Sequence, residues 1–124
     1  MTIACQRVLI VDEESALLFA LSEYLTFRGC RVDGAEGMMD ARALMQHLHY
    51  DAIVVGVTPE NIEDACELAY ECRLRLPLAR LVALAAESPE GEPSEGVLPG
   101  FHQVFARHLP TAQLARVLCH SIAA

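Results

Sequence analysis

Hydrophobic positions along the chain fall into five short continuous runs, separated by stretches in which they recur every three to four residues. The first run, Arg7-Val8-Leu9-Ile10-Val11, is mostly apolar and breaks off at Asp12-Glu13-Glu14. Such a pattern predicts a strand buried on both faces whose carboxyl end delivers acids into a crevice. Leu17, Leu18, Leu21 and Leu25 then recur at helical spacing, and Gly29 closes a helix over about 15–28. A second strand is expected over 30–35, followed by a helix with Met38, Ala41, Leu44, Met45 and Leu48 on one face. The third strand, 51–57, is closed by Thr58-Pro59. Asn61 is placed to cap the next helix, with Asp64 three residues on, and Ile62, Ala65, Ala69, Cys72 and Leu76 supply its buried stripe. A fourth strand covers 81–84 and a short fifth one 103–106. Pro110-Thr111 opens a last helix carrying Leu114, Val117, Leu118 and Ile122. Between strands four and five the pattern fails: 87–100 contains three prolines, three glycines and four glutamates, which predicts a loop with at most one helical turn.

Strands alternating with helices predict a parallel sheet covered on both faces. Right-handed crossovers favour a flavodoxin-like, doubly wound, five-stranded parallel sheet of order 2-1-3-4-5, here with an altered or missing fourth helix. In that order the carboxyl ends of strands 1, 3 and 5 meet at one pocket, which brings Asp12, Glu13, Gly56 and Arg107 together. Ligands of open parallel sheets bind at such a crevice, and paired carboxylates there suit Mg²⁺.

Length and charge narrow the class. One domain, 1–124, is long enough to bury its own core. No apolar run approaches the ~20 residues of a membrane span, and the first residues show no basic region followed by an apolar one, so a cytoplasmic protein is expected. Nine basic against seventeen acidic residues give a net charge of −8, which argues against direct nucleic-acid binding. Cys5, Cys30, Cys66, Cys72 and Cys119 contain no C-x-x-C pair and read as buried free thiols. The histidines lack ligand spacing. Gly-rich phosphate loops are absent, and so is a serine or cysteine nucleophile beside a histidine base at the strand ends.

With VLIVDEE, the Tyr50-Asp51 lead into strand 3, the Pro59 loop and GFHQVFARHL in place, the sequence resembles the receiver domain of two-component response regulators from Val8 to about Ile122. The resemblance implies an aspartate at the end of strand 3 that accepts a phosphoryl group. It also implies Mg²⁺ on the acidic pair and a strand 5 lysine on the phosphoryl oxygens. Counting five residues on from Asp51 lands on Gly56, and the shorter path to Pro59 lands on Val55; neither accepts phosphate. Ala85 stands where the family ends strand 4 with a hydroxyl, Arg107 where it has the lysine, Val104 for the strand 5 aromatic, and His108 for the following proline. Asp12 and Glu13 alone persist from that set. An Arg107 guanidinium reaching them would form a charge-assisted pair in the cation's place.

The resulting expectation is a degenerate, phosphorylation-independent receiver acting as a protein interaction module, with no enzymatic turnover. No cofactor is expected; Asp12 and Glu13 are the weak candidates for Mg²⁺. The partner surface is expected at Val104, His108 and the acidic segment holding Glu87, Glu90, Glu92 and Glu95. The partner is a signalling protein, a fused output domain of a longer parent, or a second copy in a homodimer. An alternative keeps the pocket in use: Gly56 and Ala85 vacate volume beside Asp12, Glu13 and Arg107 for a small ligand or a cation. In a third, Cys5 and Cys30 form a redox pair. On the first reading, Gly56→Asp would restore some response to a phosphoryl mimic.

Overall fold

The apolar runs become five parallel strands, of which the central three are buried on both sides by helices. The computed structural model describes residues 6–85 and 98–123. In chain order it runs β1 (Arg7–Val11), α1 (Ser15–Phe27), β2 (Arg31–Ala35), α2 (Met38–His47), β3 (Ala52–Val57), α3 (Ile62–Arg75), β4 (Arg80–Ala85), β5 (Gln103–Ala106) and α4 (Thr111–Ala123). All strand pairs are parallel and the sheet order is β2-β1-β3-β4-β5. The doubly wound arrangement read from the sequence is therefore the one observed, with strand boundaries shifted by a residue or two. Four helices are present among the described residues. Residues 86–97 lie outside them, and with them Glu87, Glu90, Glu92 and Glu95.

Strand alternation splits the core into two layers. Leu9 and Val11, Ile53, Val55 and Val57, and Leu81 and Ala83 face α2 and α3, where Ala41, Met45, Ala65, Leu68, Ala69 and Cys72 meet them. Val8, Ile10, Ala52, Val54, Val82 and Leu84 face α1 and α4, against Leu17, Leu21, Leu25, Leu114, Leu118 and Ile122. Both layers are fully buried, and burying each such aliphatic side chain is worth about 1.5–3 kcal/mol. At the end of α1, Gly29 sits at C′: its N–H donates to the Thr26 carbonyl and the Cys30 N–H to the Leu25 carbonyl, both at 3.0 Å.

The lead into β5 is fixed by two devices. Gly100 has a φ of +91°, and a Cβ there would approach Ala69 Cβ to 2.9 Å, so the backbone turns tightly against α3. Next, His102 and Leu81 bond reciprocally: His102 N–H donates to the Leu81 carbonyl at 2.8 Å, and Leu81 N–H donates to His102 Nδ1 at 2.9 Å. Burial, then the neighbouring Arg73 and Arg80 charges, hold the His102 pKa below the usual histidine value.

Gly100→Ala is expected to cost about 1–3 kcal/mol in urea unfolding, because alanine is strained at that φ and lacks space. His102 supplies a pH test. Its folded-state pKa is lowered, so the unfolded chain binds the proton more readily. Its contribution is complete above the unfolded value near 6.5 and is lost as pH falls below it. The urea midpoint should drop on acidification through that range, and His102→Gln should flatten the drop.

Candidate functional site

β1 delivers Asp12 into the interior of the sheet's carboxyl end. Its N–H continues the ladder to the Ala35 carbonyl at 2.9 Å, and the residue is only 3% exposed. A carboxylate buried to that degree requires partners. One is local: Oδ1 accepts the Glu14 N–H at 2.9 Å, turning the chain into α1. The other crosses the sheet. Arg107, just past β5, is anchored by its N–H on the Ala85 carbonyl at 2.9 Å. Its Nη1 donates to Asp12 Oδ2 at 3.1 Å and its Nη2 to Oδ1 at 3.0 Å. Nη2 also donates to Glu14 Oε2 at 3.1 Å. This is a two-pronged, charge-assisted pair with a third acceptor. Burial opposes the Arg107 charge, but the Asp12 and Glu14 carboxylates outweigh it and raise its pKa above the usual arginine value.

The pair passes over β3 at the one residue that leaves room for it. A Cβ on residue 56 would stand 2.7 Å from the Asp12 carboxyl carbon and 2.8 Å from Arg107 Nη1. Position 56 therefore faces the acids, whereas Val55 points into the core under α2 and α3. The volume directly above the glycine is filled by Asp12 and Arg107, and the open space expected beside Asp12, Glu13 and Arg107 is confined to the cleft next to them. Any side chain at 56, that of Gly56→Asp included, meets the ion pair first.

The loop after β3 holds a further departure from the sequence reading. Asn61 makes no side-chain cap to α3. Its Nδ2 donates to the Gly56 carbonyl at 3.0 Å, and its Oδ1 accepts the Thr58 N–H at 2.7 Å. The side chain is turned back to brace the strand end because two backbone groups of the tight Thr58-Pro59 turn need partners. What remains open is a cleft of about 260 Å³ bounded by Asp12, Glu13, Glu14, Gly56, Thr58, Asn61 and Arg107.

The structure thus brings Asp12, Glu13, Gly56 and Arg107 together, but Ala85 packs on the α2/α3 layer and does not line this cleft. Glu14, which the family pattern does not single out, shares Arg107 with Asp12. The signal available was that Asp12, as a turn former, folds the second following residue back over itself. Val104, expected on a partner surface, is only 7% exposed, because its register opposite Ala83 turns it inward. His108 is exposed. Cys30, Cys72 and Cys119 are buried free thiols and Cys66 is half-buried. Burial pushes the Cys72 thiol up to about 11 and raises the Cys30 thiol as well. Cys5, the other half of the proposed redox pair, lies outside the described residues. Among the described residues no group of three or more His, Cys, Asp or Glu side chains is arranged to hold a metal. The two oxygens of Asp12 already accept three N–H groups. Mg²⁺ does not fit unless Arg107 leaves.

This architecture, a 2-1-3-4-5 parallel sheet with acids after β1 and a cation after β5, has the fold of response-regulator receiver domains. A response regulator from Thermotoga maritima superposes with a TM-score of 0.77 at 18% identity, covering 97% of this chain and 99% of that one. Chemotaxis response regulator CheY4 of Vibrio cholerae does so at 0.77 and 21% identity, over 95% and 99% of the two chains. TrrA of Thermotoga maritima, solved in complex with Mg²⁺-BeF, gives 0.70 and 20% identity over 94% and 98%. At these identities the likeness is one of fold. No protein-family model and no curated protein matches the sequence.

Removing the cation by Arg107→Met should destabilise the domain by about 3–5 kcal/mol, because it strands a buried carboxylate. Glu14→Gln, at the 59% exposed end of the network, should cost under about 1 kcal/mol. Chemical denaturation of the two variants checks the contrast.

Proposed function

We propose that this chain is a receiver-type module of two-component signalling that works without phosphorylation, recognising a protein partner and catalysing no reaction. The observation that carries this reading is the Arg107–Asp12 pair lying across Gly56. Phosphoryl acceptance on this fold requires a carboxylate oxygen on β3, and Mg²⁺ requires acids free to bind it. Position 56 offers no side chain, and Asp12 is engaged by an internal cation. Beryllofluoride, bound with Mg²⁺ in the TrrA complex, stands in for a phosphoryl group. In this chain the space directly above Gly56 is taken by the Asp12 carboxylate and the Arg107 guanidinium.

The pair ties the end of β5 to the end of β1, and on this reading the surface around β5 and α4 does not depend on a phosphorylation state. Recognition there, through the exposed His108, suits a cytoplasmic signalling partner, a fused output domain or a second copy. The competing reading as a cation or small-ligand sensor rests on the open remainder of the cleft beside Glu13 and Thr58.

One NMR experiment separates these readings. On titration with Mg²⁺ and beryllofluoride, the amides of Asp12, Gly56 and Arg107 should not shift saturably, and incubation with acetyl phosphate should leave the intact mass unchanged. A covalent phosphoryl adduct would overturn the proposal, and saturable Mg²⁺ binding alone would favour the sensor. In Arg107→Ala, whose Asp12 is freed, Mg²⁺ should produce saturable shifts at concentrations that leave the wild type unmoved.

A further inference from the structure

The opposite, amino-terminal end of the sheet holds a second cavity, of about 370 Å³. Arg80, His102, Gln6 and Asp51 form its polar wall, with Leu78 and Ile122 among the apolar ones. Arg80 is held in place by Nε, which donates to the Ser121 carbonyl at 3.1 Å. On the ring of His102 the hydrogen bonds are in conflict. Leu81 lies in a fully buried strand, and its N–H donates to Nδ1 at 2.9 Å. An unprotonated Nδ1 leaves the neutral ring's proton on Nε2. Yet Nε2 stands 3.2 Å from Arg73 Nη2, on α3, and a guanidinium nitrogen is only ever a donor.

The two other protonation states are worse. Moving the proton to Nδ1 would let Nε2 accept from Arg73 but would leave the buried Leu81 N–H without its acceptor, and Arg73, exposed, has water as a substitute. Protonating both nitrogens would set a cation between Arg73 and Arg80 and also forfeit the Leu81 bond. Two donors therefore confront each other beside a cavity with Arg80 in its wall, and a shared acceptor satisfies both. A negatively charged oxygen does so best.

We propose an oxyanion site at the rim of this cavity, in which one carboxylate or phosphate oxygen bridges the Nε2–H of His102 and the guanidinium of Arg73, which stands outside the cavity's lining, with Arg80 adding a second positive charge. Asp51 opposes it: its Oδ2 accepts the Arg7 N–H at 2.8 Å, and its charge lies in the same cavity wall. A group with a single negative charge is accordingly preferred to a dianion. The site is independent of the acid cleft at the other end of the sheet, and of the function proposed for it.

Long-range ¹H–¹⁵N NMR of the His102 ring, with the Leu81 amide as a second probe, tests the assignment. Acetate and inorganic phosphate are titrated separately at constant ionic strength. Saturable shifts of both probes are expected. Acetate binding marks the carboxylate of a protein partner as the natural occupant, and saturation by phosphate alone marks a phosphate-bearing one. Affinity should fall at least roughly tenfold in Arg73→Gln, which loses one charged hydrogen bond. It should stay within about twofold in Arg116→Gln, an exposed arginine on α4. Linear, non-saturating shifts with both anions, or equal affinity in Arg73→Gln, would overturn it.

Discussion

The Asp12–Arg107 ion pair is the constraint on which the carboxyl end of this sheet depends. It couples three positions on three strands. Asp12 is buried and must be neutralised, Arg107 is the cation in reach, and Gly56 is the only residue type that lets the two meet over β3. None of the three can change alone without leaving a charge or a clash inside the protein. The pair need not add much net stability, since the cost of desolvating two ions is large and offsets their attraction. Its effect is on specificity: it determines which side chains occupy the end of the sheet.

The rest of the fold is indifferent to that arrangement. Both core layers are built from residues within the strands and from helix faces, Leu9 and Val11 on one side, Val8 and Ile10 on the other. The residues that would carry phosphoryl chemistry begin where those strands end. A fold organised in this way can lose or exchange its site chemistry and keep its stability, which is why likeness to receiver domains establishes architecture and leaves the activity to be argued from the site.

How much the sequence reveals follows from this division. Parallel strands buried on both faces appear as unbroken apolar runs, and amphipathic helices as periodic ones, so Val8–Val11, Ile53–Val57 and the Leu17/Leu21/Leu25 stripe can be read directly, and sheet order follows from crossover handedness. The convergence of Asp12, Gly56 and Arg107 follows from that order. What stayed hidden is polar geometry decided by distant partners. Glu14 is engaged by a guanidinium 93 residues away, a partner its neighbours in the sequence do not announce. Asn61 looks like a helix cap, but the carbonyl of Gly56 and the N–H of Thr58 claim its side chain. Val104 faces inward because of its register against β4, and a four-residue strand carries too little alternation to announce which way it faces.

Arginine at position 107 accounts for the self-contained character of the site. A lysine there would bring one compact, strongly hydrated charge, able to serve one acid oxygen while a metal served the others. The planar fork of arginine instead meets both oxygens of Asp12 and still reaches Glu14. It satisfies by itself the demand that a carboxylate cluster otherwise places on a divalent cation. Because a guanidinium stays protonated at every physiological pH, the arrangement cannot be released by titration of its basic partner. Any switch acting at this end of the sheet must therefore compete for Asp12 with a bidentate partner supplied by the chain itself.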